Sequence, residues 1–390
     1  MRYEKRVKRL VAPALAAAFV FLGAAPAHVQ TCDYFGGYAG THLVAPEAGA
    51  RWLTWAETNI PDSVKMRALG VKTLLYTDPN RQIAGEPLYT SDESTFAHDC
   101  GGNRITTNRS GQYLMDPHAP AMQRIWRGHV QSYAGEGHFD AVFNDDADNV
   151  EYIHGVPCNY NATDWLSATN ALQRSLNYPI IYNGLSSFND TQISQAIGLN
   201  PTSIGGAMEE CYASSPSQPK QTGSKWIVAE NTELRMQQER KFFFCYNNDT
   251  SPAAGSIGSR LYVYASFLLT YDPATSVLWE YYEGPTHFHV MPEVQLVPLD
   301  PVAGARTVAD LNAGGVYVRA FRSCYLAGRP AGPCAVAVNP DGDAHALSLQ
   351  GYRRMLQIDG GGVLDGGSVR IVAFRPPAQL GPATAIVAFK

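Results

Sequence analysis

The sequence predicts an α/β chain in two parts, a (β/α)8 barrel followed by an antiparallel β-sandwich. From about residue 50 to 290, short β-branched or aromatic runs alternate with stretches of helix length, the pattern of parallel βα units. Eight such runs fit into roughly 240 residues, close to the ~250 typical of a closed barrel. After Pro292 the helical stretches stop, and strands separated by turn signals continue to the end. At 390 residues the chain also exceeds the ~250–300 that one core usually serves.

The eight runs occupy 51–57, 71–78, 112–117, 139–146, 179–184, 204–212, 225–231 and 275–282. Between them, Met122, Ile125, Trp126 and Val130 recur at helical spacing, and 164–176 and 259–271 read as further helices. A Gly- and Asn-rich excursion containing Cys100 follows the second run. A doubly wound open sheet is the rival arrangement. It is disfavoured because no Gly-rich phosphate loop follows the first run, and eight units would make a long open sheet. In the C-terminal part the strands "VQLVPL", "GVYVRAF", "CAVAVN", "HALSL", "RMLQID", "SVRIVAF" and "TAIVAFK" are punctuated by "NPDGD", "DGGG", "DGGS" and "RPPAQLGP". The expected division is 1–27 as a signal peptide, 28–291 as the barrel and 292–390 as the sandwich.

The signal peptide rests on Arg2, Lys5, Arg6, Lys8 and Arg9, then an apolar run over 10–24, then Ala25-Pro26-Ala27. The apolar run is shorter than the ~20 residues of a spanning helix, so a secreted or periplasmic location without an integral membrane segment is expected. All seven cysteines follow that segment, which favours disulfides, and their odd number leaves one over. Cys324 and Cys334 flank a Gly/Pro-rich loop and are expected to pair; Cys211 with Cys245 is a second candidate pair. No CxxC spacing supports zinc. The net charge is −5 with basic residues dispersed, so nothing indicates nucleic acid or anionic lipid as a partner.

In a barrel of this kind, chemistry gathers at the C-terminal ends of the strands. The runs end on Glu57, Asp78, Asp116, Asp145 with Asp146, Asn183, Glu209 with Glu210, and Glu230 with Asn231. Such a ring of carboxyl groups suits glycosidic bond cleavage, in which one acid protonates the leaving oxygen and a second carboxylate acts as nucleophile or base. Crowding helps, because a neighbouring anion raises one carboxyl's pKa and keeps it protonated. Trp55, Tyr76, Tyr182, Tyr212, Asn183 and Glu230 are the candidate sugar-binding residues, with Trp52 and Trp279 as further aromatics near strand ends. Alternation along 139–146 leaves apolar residues on both faces, so periodicity does not choose between Asp145 and Asp146.

Several motifs bear on this choice. "FDAVFNDD" (139–146) resembles the FDGVFxD strand of glycoside hydrolase-like barrels related to polygalactosaminidases and the α-galactosidase superfamily. "YNG" (182–184) and "GGAMEE" (205–210) resemble those families' fifth and sixth strands, and "VYVRAF…AVAVNPDGDAHALSL" resembles the β-sandwich appended to them. The resemblance implies a secreted glycoside hydrolase acting on a poly- or oligosaccharide without a cofactor or metal. It implies Asp145 as the charged carboxylate and Glu209 as the general acid, with Asp146, Glu210 and Asp78 as alternates or supports.

Three rival readings apply. A barrel that binds carbohydrate without turnover would keep the fold and lose the chemistry. A metal-dependent hydrolase or deacetylase would draw on "HFH" (287–289), which lies after the last strand and has no assigned acidic partners. "NDDADN" (144–149) offers oxygens to calcium but lacks EF-hand spacing and its Gly. Asp78 and Asp116 each precede or adjoin a proline, where Asp commonly caps a turn.

Overall fold

The computed structural model describes residues 35–37, 46–147 apart from 87 and 108, 157–183 apart from 159, 185, 197–198, 205–281 apart from 211, 216, 249–250 and 254, and 290–390. The segment read as a signal peptide, "HFH" and Asp148-Asn149 lie outside the described residues.

Ten strands precede the C-terminal part: β1 (Phe35–Gly37), β2 (Trp55–Glu57), β3 (Lys72–Thr77), β4 (Arg81–Ile83), β5 (Gln112–Leu114), β6 (Ala141–Asn144), β7 (Ile180–Asn183), β8 (Gly206–Glu210), β9 (Phe242–Asn248) and β10 (Ser276–Tyr281). Eight of them form one parallel sheet in the order β1-β2-β3-β6-β7-β8-β9-β10. Chain order and spatial order coincide, as successive βα units require. The sheet curls: β1 and β10, at opposite ends of that order, approach within 8 Å between Cα atoms.

Six of the expected runs are strands of this sheet, and two are not. The run 112–117 contains β5, which pairs antiparallel with β4 outside the main sheet. The run 225–231 lies inside a helix, Gly223–Gln238. Its buried residues Trp226, Ala229, Glu230, Glu233 and Leu234 recur at intervals of three and four, a helical stripe that a seven-residue window cut short. β1 and the "FFFCYNN" strand β9 take the two places.

Alternation divides the side chains of the sheet. Trp55, Leu74, Ala141, Phe143, Ile181, Met208, Phe244 and Val277 form a core on one face, the inside of the curl. Ala56, Leu75, Val142, Tyr182, Ala207, Phe243, Cys245 and Leu278 join a larger core under the helices. The main helices are α1 (Pro46–Gly49), α2 (Ile60–Ala68), α3 (Arg127–Glu136), α4 (Ala162–Arg174), α5 (Gly223–Gln238) and α6 (Ile257–Thr270). Side-chain oxygens of Asn59 and Asn161 cap α2 and α4 by accepting from Asp62 and Asp164 backbone N–H, each at 2.9 Å.

The C-terminal strands are β11 (Leu296–Pro301), β12 (Asn312–Ala313), β13 (Val316–Leu326), β14 (Arg329–Asn339), β15 (His345–Ala346), β16 (Arg354–Asp359), β17 (Ser368–Ala373), β18 (Gln379–Leu380) and β19 (Thr384–Phe389). They form a seven-stranded antiparallel sheet, β11-β13-β14-β19-β16-β17 with β12 on β13, and a separate β15-β18 pair. One face of the large sheet places Val336, Val338, Val387 and Phe389 in the same core as Tyr264 and Leu268 of α6. The other face meets Leu347, Leu349, Tyr352 and Leu380, around and on the small pair. Arg260 of α6 donates from Nε to Glu293 at 2.8 Å and from Nη1 to the Gly360 carbonyl at 2.8 Å, and both partners of this ion pair are buried. Among the described residues no helix is long and apolar enough to cross a membrane.

Cys324 and Cys334 are joined as expected, with Cα atoms 6.0 Å apart, and Cys100 pairs with Cys158 at 4.9 Å, tying the excursion to the segment before α4. Cys245 is a free, buried thiol, so the Cys211–Cys245 pairing is corrected; Cys211 and Cys32 lie outside the described residues. Non-reducing peptide mapping should recover both disulfides, and a thiol reagent should label Cys245 only after denaturation. Labelling of Cys245 in the folded protein would contradict its placement.

Beneath α5 lies a buried polar cluster. Tyr212 donates to Glu230 at 2.9 Å and to Glu233 at 3.0 Å, while Thr270 reaches both carboxyls at 3.0 and 2.6 Å and Ser276 reaches Glu233 at 2.6 Å. Burial, and then the charge of Glu233, raises the Glu230 carboxyl well above its ordinary 4.5; burial also raises Glu233. The folded chain therefore holds protons that the unfolded chain releases. This contribution is complete below pH 4.5 and is lost as pH rises through the higher folded values. Glu230→Gln, which stays neutral, should flatten the fall in thermal midpoint as pH rises above 4.5 relative to the parent protein. Equal slopes would show that the pair does not hold its protons.

Candidate active site

The inner face of the parallel sheet delivers its polar residues at the C-terminal strand ends. Asp145 follows β6, held in line by its backbone N–H on the Thr77 carbonyl at 2.8 Å. Three donors converge on its carboxylate: Tyr76 Oη to Oδ2 at 2.7 Å, Asn183 Nδ2 to Oδ1 at 2.6 Å, and the Asp146 backbone N–H to Oδ1 at 3.0 Å. Tyr76 packs on Phe143 of the inner core, with ring centroids 6.0 Å apart, and remains 36% exposed. Loss of water around its hydroxyl, and then the charge of Asp145, push the phenol upward, so it stays a donor.

Asp146 is turned elsewhere. Its φ of 46° lies in the left-handed region that Asp tolerates better than most residues. Its carboxylate pairs with Arg81 at 2.8 Å, and its carbonyl accepts from Asn80 at 3.3 Å. Asp78 accepts from the backbone N–H groups of Asn80 at 3.0 Å and Arg81 at 2.7 Å, which makes it the capping residue of the turn into β4. Burial, followed by the charges of Asp146 and Asp145, raises its carboxyl well above the usual range. Beside these residues lies a cavity of about 590 Å³, bordered by Asn59, Ile60, Tyr76, Asp78, Arg81 and Tyr89.

Glu57 ends β2 on the same inner face, two residues after Trp55. Burial, and after it the charge of Asp145, raises its carboxyl to about 8. The sequence marks Glu57 as a strand end but gives no reason to prefer it. The available signal was its position two residues beyond a tryptophan on a strand with both faces buried. Across the sheet, Tyr246 of β9 and Trp279 of β10 stack at 4.3 Å and 23°, both packed against the inner core.

Other expected site residues are elsewhere. Glu209 is fully buried, and strand alternation sets it with Ala207 on the outer face; in register it pairs with Cys245, whose thiol it helps push up after burial, Glu233 and Glu230. It is therefore withdrawn from the face that carries Asp145. Glu210 is the next residue of β8, in register with Tyr246 and two beyond the inward Met208. Tyr182 and Tyr212 are wholly buried in the outer core, and Glu230 belongs to α5, so none of the three meets the cleft. Trp55 is 1% exposed, edge-on to Phe242 and Phe244 at 5.1 and 5.4 Å. It packs the inside of the curled sheet beneath the site instead of lining it. The structure thus brings together Asp145, Asp146, Asp78, Tyr76 and Asn183 and separates Glu209, Tyr182, Tyr212 and Glu230 from them.

No protein-family model matches the chain, and neither does any curated protein. Solved structures similar to it are glycoside hydrolases. Aspergillus fumigatus Ega3, solved with galactosamine, is 13% identical over 66% of this chain and 94% of its own, with a TM-score of 0.42. The Geobacillus thermoleovorans α-amylase, solved with acarbose, is 11% identical over 92% and 98%, with a TM-score of 0.49. The family 30 subfamily 8 xylanase Xyn30A of Clostridium acetobutylicum is 11% identical over 93% and 96%, with a TM-score of 0.46.

Proposed function

We propose that the chain is a secreted or periplasmic glycoside hydrolase that cleaves O-glycosidic bonds with Asp145 as the charged carboxylate and Glu210 as the general acid. The observation that carries this reading is the convergence of Tyr76, Asn183 and the Asp146 amide on one carboxylate at the end of an apolar strand. Such a group is held in one orientation, as a nucleophile or general base must be. Glu210 replaces Glu209 in the role of acid because the two-residue period of β8 gives the register position after Glu209 to the inner face.

On this reading the curled sheet closes as a (β/α)8 barrel, which the approach of β1 to β10 supports. The β15-β18 pair forms the second layer of the C-terminal sandwich, over residues 292–390. Glu210 lies two strands from Asp145 in the sheet order. A sugar between them would have its leaving oxygen protonated by Glu210. Asp145 would meet the positive charge developing at the anomeric carbon, either by direct attack or through a water. The stacked Tyr246 and Trp279 supply an apolar face of the kind a pyranose ring covers. With the Asp145 carboxylate at the rim and Arg81 engaged by Asp146, the rim favours neutral or cationic sugars over uronate or sulfated polymers. The two disulfides and the basic-apolar N-terminus support export.

The test is release of reducing ends from a panel containing an α-glucan, a xylan and a galactosamine polymer. Asp145→Asn should lower turnover on the responsive polymer by at least ~10²-fold, the lower end of acid–base and nucleophilic contributions, with an unchanged circular dichroism spectrum. A polymer that binds without being cleaved would contradict hydrolysis and make the carboxylates acceptors for sugar hydroxyls.

A further inference from the structure

Glu57 is an inner-face carboxyl that the proposed chemistry does not use. β2 pairs Glu57 with Leu74 of β3, two residues before Tyr76 on the same face, so Glu57 sits one layer deeper than the Tyr76–Asp145 hydrogen bond. Directly below it, Trp55 closes the interior with Phe242 and Phe244. Unlike Asp145, Asp146 and Asp78, Glu57 forms no side-chain hydrogen bond or ion pair among the described residues. Glu57 is half-buried, so its carboxyl is open to a ligand hydroxyl in the cleft, and a hydrogen bond formed there meets no competing described side chain.

We propose that Glu57 is a substrate-binding residue, whose carboxyl, one layer below the Tyr76–Asp145 hydrogen bond, forms a hydrogen bond with a hydroxyl of the sugar that lies against Asp145. The inference rests on the glycoside hydrolase reading above. A neutral carboxyl is both donor and acceptor, which matches a sugar hydroxyl; its ionised form can only accept. Burial and the charge of Asp145 raise the group to about 8, so it retains its proton at neutral pH and loses it just above. Among the described residues, the charged or titratable groups that act on it are Asp145, which follows β6, and Tyr76 of β3. The Lys72 ammonium lies over the Trp55 ring, 4.9 Å from its centroid, on the far side of that plug. A purely structural Glu57 would leave substrate affinity independent of its protonation.

The experiment measures kcat and KM between about pH 5 and 9 with a galactosamine oligosaccharide and an α-glucan oligosaccharide as probes. In the parent protein KM should rise toward tenfold per pH unit above about 8, as the donor is lost. Glu57→Gln, a permanent donor, should bind about two- to threefold more weakly at neutral pH and show no such rise; Glu57→Ala should raise KM about tenfold across the range, with a smaller effect on kcat. Circular dichroism establishes that each variant is folded. A Glu57→Gln profile that rises like the parent's, or an unchanged KM in Glu57→Ala, would overturn the role of Glu57 and leave the hydrolase reading standing. Failure of the parent protein to bind or cleave either probe would overturn both.

Discussion

The structure depends on the two-residue alternation of parallel strands that are covered on both faces. Each position in β2, β3 and β6 to β10 is committed either to the inside of the curl or to the layer beneath the helices. Crowded acids, which would repel one another and resist burial, are separated by this rule. Asp145 continues the inner row of Ala141 and Phe143, whereas the left-handed Asp146 carries its carboxylate to Arg81. Glu209 falls on the outer row with Ala207 and Cys245. The same rule makes Trp55 a plug and Glu57, two residues on, the floor above it.

Aromatic residues set the depth of the cleft. Trp55, Phe242 and Phe244 meet edge to face, a geometry that adds about 0.5–1.5 kcal/mol per pair beyond area burial. The outer core runs without a break through α6 into the antiparallel sheet, where Arg260, Glu293 and the Gly360 carbonyl form a buried, fully hydrogen-bonded group. Removing one partner of such a pair leaves an uncompensated buried charge, typically at a cost of 3–5 kcal/mol. The C-terminal sheet is therefore part of what holds α6, and through α6 the last strands of the parallel sheet, in place.

Much of this was legible in the sequence, for reasons that can be located. Strands β3, β6 and β7 announce themselves because both faces are apolar and a polar residue ends the run. The C-terminal hairpins are marked by their Gly, Pro and Asp turns, and Cys324–Cys334 by the loop it closes. Residues 225–231 read as a strand because a short window of "KWIVAEN" looks like one, and only the continuation to Gln238 reveals the helical stripe. β1 is three residues long and carries little periodic signal. In the candidate site, Asp145, Asn183 and Tyr76 were recoverable as strand ends, but facing was not. Glu209 and Glu210 differ by one position, and a one-residue shift exchanges the two faces. Glu57 was visible as a strand end, yet its place beside Asp145 and Tyr76 is a property of the assembled sheet.

The central claim is that alternation, and not the mere presence of acids, assigns the chemistry of β8. It is tested most directly by comparing Glu209→Gln with Glu210→Gln on the same polysaccharide, measuring turnover and thermal midpoint together. The account predicts that Glu210→Gln loses at least ~10²-fold in turnover with its midpoint retained, while Glu209→Gln keeps turnover and shifts only the midpoint. Loss of turnover confined to Glu209→Gln would contradict it and return the acid to the outer row.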